Sequence, residues 1–212
     1  MTQTTPTTAV SQITYQTDTM DISHVTNRLI IRTILLVSLC ISPSLHADKV
    51  AGATTAKEYQ VKAVFLYNFA NFITWPESVF SNASIPFRIC ILGQDPFGIF
   101  IDATTENQKV KNRPLQVLRL KELNATRQCQ ILFISDSEIP RLAEILNFAK
   151  NYTVLTVGES EEFINEGGMI KFFNRNNKVR LGINPDALEQ ATLKADANLL
   201  NLSEIMRTSP RE

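Results

Sequence analysis

The chain has 212 residues, with 21 Lys and Arg against 21 Asp and Glu, and 44% of it is hydrophobic. That length suits one domain with a dispensable end, and that composition can fill a sizeable core. A formal net charge of zero argues against a partner such as nucleic acid, bound by neutralising its phosphates.

Residues 1–47 read as an address. Arg28 and Arg32 precede an apolar run at 33–41, and Ser44-Leu45-His46-Ala47 places a small residue at a cleavage point. The expectation is a secretory signal peptide cut after Ala47, and so an exported protein. A retained anchor is the alternative, although the run is short for a bilayer span. Residues 1–19 are polar and Thr-rich, which makes Met20 a second candidate start. Cys40 follows Leu39, a poor match to a lipidation box. Cleavage removes His24, His46 and Cys40, leaving Cys90 and Cys129. An even pair in an exported chain points to a disulfide, with two buried thiols as the alternative.

Residues 48–55 read as a small-residue linker, 56–206 as the folded domain and 207–212 as a tail. The domain is expected to open with a helix at 58–76, started by a Thr55/Glu58 capping box and stopped by Trp75-Pro76. Its apolar stripe is Val61, Val64, Phe65, Phe69, Phe72 and Ile73, widened by Ala63, Leu66 and Ala70. A near-continuous apolar run at 87–93 reads as a buried parallel strand. Asp95-Pro96 then looks like an N-cap with proline at the first helical position. Residues 114–120 alternate, as a strand near one edge would, and 129–135 read as another buried strand. Ser137 is expected to cap a helix at 138–150, ahead of a strand at 153–158 and a helical turn at 159–168. Residues 169–173 and 178–183 flank Arg175-Asn176-Asn177 as a hairpin. Helices at 185–194 and 198–206 close the chain. This order predicts a Rossmann-like three-layer α/β sandwich with a mixed, mostly parallel sheet, ending in a hairpin and two helices.

The domain holds no histidine, so it has no Ser-His-Asp triad, no Cys-His pair and no histidine metal site. No catalytic set, metal site or cofactor site is expected. The loop Gly93-Gln94-Asp95-Pro96-Phe97-Gly98 superficially suits phosphate but lacks the Lys-Ser/Thr that should follow. Glu159, Glu161 and Glu162 suit a solvated helix start better than a cation site. Trp75, beside Tyr67, is a candidate wall of a ligand groove. Phe172 and Phe173 face opposite sides of their strand, so one is core and the other is either covered by a closing helix or exposed as a partner-binding candidate.

Taken together, VKAVFLYNFANFITWP (61–76), FRICILGQDPFG (87–98), CQILFIS (129–135), VLTVGESEEF (154–163), GGMIKFF (167–173), VRLGIN (179–184) and LLNL (199–202) run in the order and spacing of one family. Over residues 58–205 the chain resembles the YfiR family. The resemblance implies a periplasmic repressor that binds the sensor region of an inner-membrane diguanylate cyclase, lowering cyclic-di-GMP and biofilm formation. It also implies that an outer-membrane lipoprotein sequesters the repressor, and that Cys90 pairs with Cys129. The sequence departs from some members in lacking a second cysteine pair near residues 167–173. The expected partner surface is the hairpin, through Ile170, Phe172, Phe173, Arg180 and Leu181. Another receptor in place of the cyclase and a homodimer are open alternatives. So are a small-ligand sensor with its groove at Tyr67 and Trp75, and a hydrolase working through carboxylates.

Overall fold

The computed structural model describes residues 47–80, 82 and 84–208. The expectations for the signal peptide, for Met20 and for Cys40 lie outside these residues. Helix α1 spans Ala47–Phe72 and so starts well before the expected capping box. The segment expected as a linker is therefore helical. Glu58 pairs with Lys62 one turn on, through the i,i+4 spacing of a helix interior.

The elements that follow are β1 (Ile73–Thr74), β2 (Phe87–Leu92), α2 (Ile99–Thr105), β3 (Lys109–Val110), β4 (Arg113–Leu120) and β5 (Ile131–Ile134). After them come α3 (Leu142–Ala149), β6 (Leu155–Gly158), α4 (Glu161–Asn165), β7 (Ile170–Arg175) and β8 (Lys178–Ile183). The chain closes with α5 (Pro185–Gln190), β9 (Lys194–Ala195), α6 (Ala197–Leu202) and β10 (Ser203–Ile205). An eight-stranded sheet has the order β10-β8-β7-β6-β5-β2-β4-β3. Only β7–β8 and β3–β4 are antiparallel within it, so the sheet is mixed and mostly parallel. The pair β1–β9 stands apart as an antiparallel bridge.

Strand alternation divides the interior into two cores. Ile89, Ile91, Ile131, Phe133, Leu155, Val157, Ile170 and Phe172 face α1, α2, α5 and α6. Cys90, Leu92, Leu132 and Ile134 face α3, α4 and the 3-10 segment Leu123–Gln128. That is the expected three-layer sandwich, and β4 is next to one edge as its alternation implied.

Several local expectations are corrected. On α1 the buried face is Lys62, Ala63, Leu66, Phe69 and Ala70, while Val61 and Val64 are 39% and 45% exposed. The stripe was placed partly around the helix from the face that the sheet covers. Asp95 does not cap a helix at Pro96; Asp95 Oδ1 accepts from the amides of Phe97 and Gly98, and α2 begins only at Ile99. Ser135, not Ser137, caps the segment after β5, which runs as 3-10 helix over Asp136–Arg141 because Pro140 supplies no N–H. The last helix ends at Leu202, and β10 then joins β8 in parallel.

Candidate functional site

The chain leaves β2 for β4 on one side and later returns to β5 on the other. In open α/β sheets such a reversal opens a crevice beyond the carboxyl ends of the strands, where ligands commonly bind. Here α1 fills it. The Tyr59 ring meets Phe97 edge-on at 5.4 Å, and its hydroxyl donates to Glu159 Oε2 at 3.0 Å. Lys62, only 4% exposed, pairs with Glu58 and lies 2.7 Å from Glu159 Oε1, an ion pair with poor hydrogen-bonding angle. Burial pushes the Tyr59 hydroxyl well up, helped by the charge of Glu159. Burial also opposes ionisation of Glu58, but hydrogen bonds from Lys62 and Asn174, with the Lys62 charge, hold its carboxyl below the usual range.

The loop at 93–98 spends its amides internally. Gln94 N–H donates to Ser137 Oγ, and Asp95 takes those of Phe97 and Gly98. No cradle of free amides remains there for phosphate. The acidic group divides as well: Glu159 pairs with Lys62 and Glu161 with the buried Lys171.

At the hairpin, three expected contact residues prove to be core. Ile170, Phe172 and Leu181 are 0%, 1% and 2% exposed, because α1 covers that face of the sheet and Phe69 stacks on Phe172. Phe173 and Arg180 remain accessible, directly opposite each other in the β7–β8 register. Arg175 and Lys178 share their face, with the Arg175 guanidinium 5.2 Å from the Phe173 ring centre and paired to Glu204 of β10. This face is basic around one aromatic ring. The expected surface named Phe173 and Arg180 but not Arg175 and Lys178, which period-2 alternation places on the same side.

The expected groove exists in part. Trp75 is buried, with 6% exposure, and walls a cavity of about 370 Å³. Tyr67 is not in that wall; its hydroxyl donates to Gln108. Phe80, Lys111 and Arg113 line it instead. Cys90 and Cys129 are bonded, with their Cα atoms 5.9 Å apart.

A profile of the YfiR/HmsC-like family matches residues 59–204, from the middle of α1 into the last strand. The chain belongs to that family. YfiR/HmsC-like proteins are regulators rather than enzymes, and they work in periplasmic cyclic-di-GMP signalling. No curated protein matches the sequence. Among solved structures, the chain is similar to an ABC domain in complex with L-Trp from Streptococcus pneumonia, at TM-score 0.44 and 6% identity. That similarity covers 57% of this chain and 55% of the other. A conserved domain protein from Vibrio cholerae O1 biovar eltor is similar at TM-score 0.44 and 8% identity, over 61% of this chain and 56% of that one. The chain thus spans little more than half of either. No described helix of this family member is long and apolar enough to cross a membrane.

Proposed function

We propose that this YfiR/HmsC-like protein works in the periplasm as a repressor, binding the sensor region of an inner-membrane diguanylate cyclase. Binding the inactive conformer of that region better than the active one lowers cyclic-di-GMP, and with it biofilm formation. The supporting observation is the family match, which runs through both cores and the hairpin rather than one motif. The chemistry agrees: Lys62, Glu58, Glu159 and Tyr59 are tied to one another inside the crevice instead of facing a substrate. The docking surface in this reading is the basic face around Phe173 and Arg180, which suits an acidic receptor segment carrying an apolar side chain.

Deleting the gene and measuring cellular cyclic-di-GMP tests the reading. Cyclic-di-GMP should rise on deletion and fall again when the intact gene is restored. An unchanged level in both strains refutes repression of a cyclase.

A further inference from the structure

The Trp75 cavity lies at the opposite end of the sheet from the filled crevice. Phe87 and Arg113, the first residues of β2 and β4, line it beside the end of α1 and the β3–β4 turn. Its volume of about 370 Å³ falls at the small end of ligand sites.

Its walls combine two chemistries. Phe87 and Val110 are 1% and 2% exposed and form an apolar floor. Trp75 meets Phe87 edge-on at 5.0 Å, and Phe80 stacks on it at 6.3 Å. The Trp75 indole N–H is buried and has no acceptor among the described residues. A buried donor without an acceptor is costly, so this wall carries an unmet demand for one. Arg113 and Lys111 stand against a single carboxylate, Glu77. Arg113 is already held in place: its Nη1 donates to the carbonyls of Asn82 and Ile85, and its guanidinium lies 4.4 Å from the Phe80 ring centre. Lys111 and Asn112 both have positive φ, 47° and 65°, so a tight turn fixes where Lys111 starts.

We propose that this cavity is a binding site for a small aromatic monocarboxylate. The ring lies against the wall formed by Phe80, Phe87 and Trp75, and the carboxylate meets Arg113 and Lys111. A planar carboxylate matches the guanidinium fork. Glu77 on the same rim disfavours a second negative charge. A ligand here would touch the loop after α1 and the β3–β4 edge, not the hairpin face, so this site and cyclase docking stand or fall separately.

Trp75 is the single tryptophan of the chain, so its fluorescence reports the site directly. Purified protein is titrated with benzoate and, separately, with neutral benzamide. Benzoate should change the emission saturably, with benzamide at least about tenfold weaker, as expected for a hydrogen bond to a charged group. Arg113→Gln and Lys111→Asn should each weaken benzoate several-fold. Lys111→Asn keeps a residue that tolerates positive φ and spares the loop that Arg113 holds, so it remains informative if Arg113→Gln misfolds. Three results overturn the site: no saturable change up to about 10 mM benzoate, equal response to benzamide, or unchanged benzoate affinity in a folded Lys111→Asn.

Discussion

Lys62 lies almost wholly out of water between Glu58 and Glu159, so removing it strands two carboxylates. Breaking a buried pair from one side typically costs about 3–5 kcal/mol. Lys62→Ala should therefore lower stability by about that much in urea unfolding, and Lys62→Ala combined with Glu159→Gln should recover part of it. The same cluster sets an acid limit. The folded-state pKa of Glu58 lies below its ordinary value of 4.5, so its contribution is full above that value and is lost as pH falls through the folded one. Melting temperature should fall steeply below pH 4.5, and less steeply in Glu58→Gln. Tyr59 acts at the other end. Its folded pKa is raised, so its contribution is full below the ordinary value of 10 and declines as pH rises beyond it.

The two faces of the hairpin separate stability from the proposed docking. Phe172→Ala empties a buried site and should cost about 3–5 kcal/mol. Arg180→Glu, on the open face, should leave stability within about 0.5 kcal/mol while abolishing repression in cells. A repressing Arg180→Glu protein would move the docking surface elsewhere.

At the scale of elements, the Cys90–Cys129 bond closes a 39-residue span between β2 and the approach to β5, worth about 4 kcal/mol on the chain-entropy model. Replacing both cysteines by serine should lower the melting temperature by about 10 °C. How much of this architecture the sequence discloses depends on whether a signal is local. Largely apolar runs marked β2 and β5, because strands covered on both faces are mostly apolar. Val61 and Val64 misled because hydrophobic spacing on α1 fits more than one stripe, and the sheet decides which is covered. Alternation puts Ile170 and Phe172 on one side of β7, but which side α1 covers is a tertiary fact. β10 has three residues, two of them Ser and Glu, and carries no periodicity at all. The site divides the same way. Trp75 before Pro76 was a visible cue to the cavity, whereas Arg113 and Lys111 reach it only through the β3–β4 turn. The Glu58–Lys62 pair is local, at i,i+4 on α1, while Glu159 arrives from 97 residues further along than Lys62.

For the molecule as a whole, the crevice where α/β domains usually meet ligands is occupied by the protein's own opening helix. The surfaces proposed to meet other molecules lie instead on the hairpin's outer face and beside Trp75, at other parts of the sheet.

The final strand also has a practical bearing on anyone engineering this protein. β10 shields the open edge of β8, and Met206 lies so close over Gly182 that a Cβ there would sit 2.3 Å from its sulfur. A version stopped after Leu202 would leave β8 a bare border, ready to zip onto another copy. Light scattering should show that shortened form clumping at concentrations where the intact protein stays dispersed, so affinity tags belong beyond Met206.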